Sequence, residues 1–167
     1  MLIPNIKRTW APKGQTPILK HSFQHDRISS ISAISVSPKR KRIALYIQFH
    51  QSNINSDLVL QFIRYLSRHL RGNIILLWDS NPTHKSRKIK AFLVKHPRIH
   101  PERFPGYAPE LNPDEFVWTN LKGQLANAAP KDFKELLRLI NHTAKKLKGS
   151  KNLLWSCIYA SDLPWDK

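Results

Sequence analysis

The stretch LLWDSNPTHKS, residues 76–86, decides the fold. It overlaps an uninterrupted apolar run, Ile74 to Trp78, in which polar and apolar residues do not alternate. Such a run is typical of a strand that is covered on both faces, as in parallel sheets. Asp79 follows directly, and ligands bind at the carboxyl ends of strands in open α/β sheets. The alternative interpretation is that Asp79 only caps the turn before the next helix.

Outward from this strand, the patterns predict one α/β domain over residues 1–167. Two alternating stretches, 27–36 and 43–50, predict strands that pair as a hairpin across a basic turn. A further short strand is predicted over residues 98–104. Helical periodicity and capping signals predict helices over residues 57–70, 85–94, from 113 to about 125, 131–148 and 151–160. Residues 1–26 carry turn signals and predict an irregular segment with one short extended piece.

Composition narrows the class of partner. The chain has 28 Lys and Arg against 11 Asp and Glu, a formal net charge of +17, while its 41% hydrophobic content excludes a disordered basic tail. No apolar run approaches the roughly 20 residues that span a membrane, and the first residues lack the apolar core of a secretory signal. The single cysteine, Cys157, predicts a packed, inert thiol, and no Cys/His spacing suits zinc. A polyanionic partner is therefore indicated, with nucleic acid the leading candidate.

A second stretch, PGYAPELNPDEFVW, spans residues 105–118 and holds two adjacent acids. Asn112 can cap a helix that begins at Pro113. Acids in a first helical turn are favoured by the helix dipole, which is a sufficient structural reason for either Asp114 or Glu115. Glu115 shares a helix face with residues 118 and 119, however. We therefore expect Glu115 to point toward the body of the domain and Asp114 to point elsewhere.

These two stretches, together with RTWAPKGQTP at residues 8–17, resemble the catalytic core of the mariner-like superfamily of DDE transposases. The resemblance is to the branch found in bacterial insertion sequences, and it spans about residues 8–122. Two departures stand out. Ser80 and Asn81 shift the Asn of the family's Asp-Asn-x-x-x-His pattern by one position, and Ala108 replaces the usual Ser.

The resemblance implies a ribonuclease-H-like mixed sheet flanked by helices, with two Mg²⁺ or Mn²⁺ ions. The family's second and third catalytic acids map onto Asp79 and Glu115, which are expected to converge on a shared metal site. Two such metals activate a water or 3′-hydroxyl and stabilise the leaving oxygen in DNA cleavage and strand transfer. Asn81 and Asn112 are expected to shape the site. His84 matches the family's His and is expected to contact the scissile phosphate, unless it only caps the following helix.

Basic and aromatic residues near these motifs carry further expectations. Lys85, Arg87 and Lys88 are candidates to bind DNA, both transposon ends and target, although such runs are usually solvated basic faces. Trp10 and Trp118 are expected in the core rather than as platforms for bases.

One departure from the family is larger, because the family's first Asp is missing. In relatives it ends a strand upstream of the position where this chain has Met1, and neither Asp26 nor Asp57 fits that place. The expectation is a single DDE-type catalytic domain that is partial at its N-terminus, without the helix-turn-helix region and without the first, central strand of the sheet. Its open edges would need a partner, either a second copy or an upstream transposase segment.

The expected activity is therefore that of a transposase catalytic domain, inactive alone, in the bacterial cytoplasm at the nucleoid, with no membrane association. A non-catalytic basic nucleic-acid-binding protein, such as a decayed transposase, is the alternative. A host nuclease on the same fold also stays open.

Overall fold

The computed structural model of the chain describes residues 7–18, 28–128 and 130–165. Residues 7–18 form neither helix nor strand, and the rest of the predicted irregular segment, including Asp26, lies outside or at the margin of the described residues. The elements are β1 Ser29–Val36, β2 Ile43–His50, α1 Ser56–His69, β3 Ile74–Trp78, α2 Arg87–Val94, β4 Ile99–Arg103, α3 Pro113–Gln124, α4 Phe133–Gly149 and α5 Lys151–Ala160. Short 3₁₀ turns at Pro82–Lys85 and Pro109–Leu111 precede α2 and α3.

Strands β1 and β2 form the predicted antiparallel hairpin, paired from Ser29↔His50 to Val36↔Ile43. Because side chains alternate along a strand, the hairpin presents two faces. One face carries Leu45 and its apolar neighbours into a core formed with α3, α4 and α5. On the other face, the Tyr46 ring lies 5.8 Å from the ring of Tyr65 on α1. Both faces of the hairpin are therefore covered.

The helical layer on the first face follows from its capping and periodicity. The side chain of Asp132 accepts a hydrogen bond from the N–H of Glu135 at the start of α4, and Ser150 does the same for Leu153 at the start of α5. Along α4 and α5, apolar residues recur at helical spacing, and the side chains of Leu147 and Leu154 are completely buried. Cys157 is buried in the same cluster, as predicted.

Strands β3 and β4 form a separate parallel pair, with Ile74↔Ile99 and Trp78↔Arg103 in register. Helices α1 and α2 cover the face that carries Leu76 and its neighbours. On the opposite face, Ile75 is 71% exposed and Leu77 is 45% exposed. The prediction of a strand covered on both faces is therefore wrong in this chain, because no described element packs against that side.

The sheet is thus divided into two pairs of strands, β1–β2 and β3–β4. Ile31 of β1 packs against the same apolar cluster as Leu76 and Trp78 of β3, so the two pairs share one layer of helices. No ladder joins β1 to β3 within the described residues. The predicted mixed α/β arrangement of strands flanked by helices is therefore observed, with two strand pairs in place of one continuous sheet.

Arg98 ties the end of α1 to the start of the β3–β4 pair. Its guanidinium donates to the carbonyls of Leu70 at 3.0 Å and Gly72 at 2.7 Å, and to both the carbonyl and the hydroxyl of Ser67. The carbonyls at a helix end have no partner within the helix, so a cation suits this position. Gly72 has a φ of 72°, a left-handed conformation that a glycine adopts without strain.

Two tryptophans behave differently. Trp118 is half-buried and packs against the hairpin core, as predicted. Trp10 is fully exposed, so its predicted place in the core is wrong; it lies in a described segment that forms no helix or strand. Among the described residues, no helix combines the length and the apolar character needed to cross a bilayer.

Candidate active site

Asp79 is exposed directly after β3, and its carboxylate is held by the loop that follows. The N–H of Asn81 donates to Oδ1 at 3.0 Å, and Nε2 of His84 lies 3.0 Å from the same oxygen. The side chain of Asn81 also accepts hydrogen bonds from the N–H and the hydroxyl of Thr83. Asn81 thereby caps the 3₁₀ turn Pro82–Lys85, which carries His84. The sequence pattern Asp-x-Asn-x-x-His therefore produces a loop that orients Asp79 through local hydrogen bonds.

His84 is fixed from a second side by an aromatic contact. Its ring stacks on the indole of Trp78, with centroids 4.7 Å apart and planes at 17°, and its side chain is 17% exposed. Burial lowers the pKa of His84 against the opposing influence of Asp79, and the positive charge of Arg103 lowers this pKa further. The imidazole is thus neutral at pH 7, and Nε2 bears the proton because a carboxylate accepts. Its contact with a scissile phosphate stays a prediction.

The second acidic motif begins α3 as predicted. The side chain of Asn112 accepts a hydrogen bond from the N–H of Asp114 at 3.1 Å, and Pro113 occupies the first turn. The predicted orientations of the two acids are wrong, however, because Glu115 is exposed and Asp114 is the inward one. At about 100° per residue, Glu115 lies about 160° around the helix from the fully buried Val117, and Asp114 only about 60°.

Asp114 is bound to the hairpin. The hydroxyl of Ser32 on β1 donates to its Oδ2, while its Oδ1 is buried with no hydrogen-bond partner. Burial raises the pKa of Asp114 to about 6; the Ser32 hydrogen bond opposes this change, the charge of Glu115 adds to it, and the indole N–H of Trp118 also opposes it. Folding therefore places a poorly solvated carboxyl group at the base of α3, next to the exposed carboxylate of Glu115.

The predicted site residues form two local groups. Asp79, Asn81 and His84 meet at the end of β3, and Asn112 and Glu115 start α3. Within residues 7–18, 28–128 and 130–165, no three His, Cys, Asp or Glu side chains are grouped closely enough to hold a metal ion. Asp79 and Glu115 offer the oxygen donors that Mg²⁺ and Mn²⁺ prefer, but two carboxylates make an incomplete set. Their convergence on one metal site stays a prediction.

The predicted DNA-binding cations differ in their surroundings. Lys85 and Arg87 are exposed at the approach to α2. Lys88 forms an ion pair with Asp57 of α1, with 2.7 Å between Nζ and Oδ1. Contact of these three residues with DNA also stays a prediction.

Trp78 and Arg103 are two residues near Asp79 to which the sequence reasoning gave no role. They are register partners at the ends of parallel β3 and β4, so both lie where Asp79 leaves the sheet. Parallel strands end at the same edge of a sheet, so the positions of Trp78 and Arg103 at two strand ends could have indicated that they lie together. This inference requires knowing that β3 and β4 are neighbours.

Comparison with solved structures supports this description of the fold. The Mos1 strand transfer complex matches 93% of this chain with a TM-score of 0.61, and the catalytic domain of Mos1 mariner transposase matches 82% with a TM-score of 0.57. A paired-end complex of Mos1 transposase with the left transposon end gives a TM-score of 0.64. All three are 16% identical in sequence, which shows a shared fold. The chain covers 46% and 47% of the proteins in the two complexes, and 77% of the isolated catalytic domain.

Sequence comparisons lead to the family. The transposable element Tc1 transposase of Caenorhabditis elegans is 22% identical over 117 residues, which are 70% of this chain and 41% of that protein. The chain thus spans less than half the length of this curated relative. Residues 2–137 match the family model described as DDE superfamily endonuclease. These matches confirm the mariner-like resemblance, and the chain belongs to the DDE superfamily endonuclease family.

Proposed function

We propose that this chain is the larger part of a transposase catalytic domain and supplies two carboxylates, Asp79 and Glu115, to a centre that cleaves and joins DNA strands. The observation that carries the proposal is the exposed Asp79 at the carboxyl end of β3, held through Oδ1 by Asn81 and His84. An exposed carboxylate held in one orientation is suited to binding a ligand from solvent. Its partners are DNA, as transposon ends and target.

Mg²⁺ or Mn²⁺ is the cofactor that suits these donors, and two ions are expected in a complete site. When bound, such ions supply activation of the attacking oxygen and stabilisation of the leaving oxygen in an in-line displacement. The chain's own residues provide the frame. The neutral His84 donates to Asp79 and limits its rotation, and Asn112 starts α3 so that Glu115 leaves its first turn toward solvent. Lys85 and Arg87 offer charge to DNA phosphates beside Asp79.

A third acid is still needed, and we propose that it arrives on an extended segment placed between β1 and β3. Three features support this position. The strand pairs are separate although they share one layer of helices. Ile75 and Leu77 of β3 are exposed apolar side chains, which side chains on the same face of a neighbouring strand would partly cover. An unpaired strand edge also offers backbone donors and acceptors to another strand. The source is another transposase segment or a second copy of the chain.

Because two carboxylates leave the site incomplete, this chain alone is expected to bind a divalent ion weakly and to leave plasmid DNA intact. Binding of Mn²⁺ is measured by electron paramagnetic resonance at low salt. Weak binding by the chain should be lost in both Asp79→Asn and Glu115→Gln. It should persist in Asp162→Asn, which removes an equally exposed charge elsewhere. Retention of binding in both site variants would overturn the proposed site.

The alternative function is DNA binding without chemistry, as in a decayed transposase. The observation that favours it is that the described residues contain no three-ligand metal site. The two functions differ in one experiment. A synthetic extended peptide with alternating apolar residues and one Asp is added to the chain with Mn²⁺ and supercoiled plasmid. Nicking that needs both the peptide's Asp and Asp79 supports the transposase function. If the chain alone nicks the plasmid and Asp79→Ala abolishes this nicking, the proposal that the site lacks a third acid is wrong.

A further inference from the structure

A groove of about 720 Å³ lies between α1 and α2, outside the candidate active site. Helix α1 lines it with Arg64 and Arg68, α2 lines it with Lys88, and Lys95 lines it directly after the end of α2, while the half-buried Phe92 forms part of its floor. These positions recur at three- and four-residue spacing, so each helix presents one continuous face to the groove. The groove is therefore a product of the packing of two helices rather than of a mobile loop.

The lining of this groove is strongly cationic. It holds four Lys and Arg side chains and a single carboxylate, Asp57. That carboxylate is already engaged, because its Oδ1 lies 2.7 Å from Nζ of Lys88. The ion pair sits at the first turn of α1, and the three other cations have no carboxylate among the lining residues. An anionic ligand would therefore meet a positively charged surface on which only Asp57 competes with it for the cations.

The aromatic floor indicates which part of a nucleic acid fits. The ring of His96 stacks on one side of Phe92, with centroids 3.9 Å apart, and the guanidinium of Arg64 lies 5.6 Å from the Phe92 centroid. Because the ring of Phe92 already has these partners, it is not offered as a platform for an unpaired base, the usual device for binding single strands. The groove is suited to the sugar–phosphate backbone instead.

The length of the groove fits a short run of phosphates. Along α2 the groove extends over six residue steps, from Lys88 to the helix end at Val94, which is about 9 Å at about 1.5 Å per residue, and Lys95 and His96 follow the helix end. At about 3.4 Å of duplex axis per phosphate on one strand, the helical part spans two to three phosphates. The four cations of the lining are thus enough to contact each phosphate of such a segment.

We propose that the α1–α2 groove is a sequence-independent binding surface for the backbone of duplex DNA. The choice of DNA over another polyanion rests on the proposed function. Arg64, Arg68 and Lys95 contact phosphates, and Lys88 exchanges its partner Asp57 for a phosphate. Helix α2 begins eight residues after Asp79, so the Lys88 end of the groove is the end nearer to the loop that orients the candidate catalytic carboxylate.

The test compares two charge-matched double variants of the full chain. Arg64→Gln/Arg68→Gln removes two charges from the groove, and Lys145→Gln/Lys146→Gln removes two from exposed positions on α4. Binding to a fluorescent 20-base-pair duplex of arbitrary sequence is followed by anisotropy from 50 to 200 mM salt, in EDTA. Each lost phosphate contact lowers the slope of log K against log salt by about 0.9, so the groove variant should lose about 1.8 and the α4 variant about 0.

Asp57→Asn gives a result of opposite sign, because it removes the only acid of the lining and frees Lys88. It should bind the duplex several-fold more tightly. The proposal would be overturned if the two double variants lost equal affinity for the duplex, or if Asp57→Asn bound the duplex no more tightly. It would also be overturned if Arg64→Gln/Arg68→Gln lost more affinity for single-stranded RNA than for the duplex. Thermal melts followed by circular dichroism confirm that each variant is folded. In EDTA, Asp79→Asn and Glu115→Gln should not lower the slope of log K against log salt as the groove variant does, so failure of the metal site and failure of the groove are separate results.

Discussion

The two strand pairs of this molecule differ both in sequence pattern, which alternates in β1 and β2 but not in β3, and in how they are covered. The β1–β2 hairpin has α3, α4 and α5 on one face and Tyr65 of α1 on the other. The β3–β4 pair has α1 and α2 on one face, and its other face exposes Ile75 and Leu77. The hairpin is therefore covered on both faces by described elements, while the pair that carries Asp79 is covered on one. Stability should come from the first region and ligand binding from the second.

The largest expected difference between the two regions comes from one substitution made in both. Leu45→Ala on β2 removes a side chain that is 5% exposed, and Leu77→Ala on β3 removes one that is 45% exposed. Leu→Ala at a buried position lowers the free energy of unfolding by about 2–5 kcal/mol. We expect about 3 kcal/mol for Leu45→Ala and under about 1 kcal/mol for Leu77→Ala, measured by urea unfolding. Equal losses would mean that the exposed face of β3 is covered in solution.

The buried carboxyl that joins α3 to the hairpin gives the next effect. The pKa of Asp114 is raised from 3.8 to about 6 in the folded chain, so its ionisation opposes folding as pH rises through that range. Asp114→Asn should therefore unfold with a free energy up to about 3 kcal/mol above that of the unmodified chain at pH 7.5, since the pKa rise of about two units corresponds to about 1.4 kcal/mol per unit.

This advantage of Asp114→Asn should vanish near pH 4, where the folded carboxyl is already protonated. The exposed Asp162→Asn is the control and should show no such pH dependence. If Asp114→Asn is instead less stable than the unmodified chain at pH 7.5, the negative charge of Asp114 is well paired in the folded chain. That result would contradict the unfavourable burial of its carboxylate.

Smaller effects are expected around Asp79, where the side chains are more exposed. His84→Ala, Asp79→Asn and the double variant form a thermodynamic cycle for the Nε2 to Oδ1 contact. Because Asp79 is open to solvent, we expect a coupling free energy of about 0.5 kcal/mol in urea unfolding. Zero coupling would indicate that His84 is held by Trp78 alone and does not orient Asp79.

The smallest change in stability is expected on the exposed face of β3. Ile75→Thr/Leu77→Thr should alter the free energy of unfolding by under about 0.5 kcal/mol, because neither side chain is enclosed. It should reduce binding of a hydrophobic dye and self-association at high protein concentration, both measured on the same samples. No change in either would mean that this face of β3 is not available to a partner strand.

The sequence predicted what depends on periodicity within one element. Alternation located β1 and β2, and the spacing of apolar residues located α1 and α4 to within a few residues. The apolar run of β3 by itself predicted cover on both faces, whereas the exposure of Ile75 and Leu77 agrees with the expectation that the first strand of the sheet is missing and leaves apolar side chains uncovered.

Details of the candidate site were less predictable from the sequence. The wrong orientation of Asp114 and Glu115 has a specific origin. Glu115 was placed by its neighbours at positions 118 and 119, whereas the buried face of α3 is centred on Val117 and Leu121. The roles of Trp78 and Arg103 depend on contacts between strands and loops that are distant in sequence. Asp79 itself was accessible to prediction because a strand end needs no knowledge of tertiary contacts.

Arg98 has a consequence for how the molecule opens. Its guanidinium binds the last turn of α1 and the turn at Gly72, and Arg98 itself directly precedes β4. These hydrogen bonds connect the β3–β4 pair to α1 without involving the hairpin. Amide hydrogen exchange should therefore separate the chain into two cooperative units, with the hairpin and α3–α5 exchanging as one and α1 to β4 as the other. A partner strand inserted between β1 and β3 would merge them into a single unit of slower exchange.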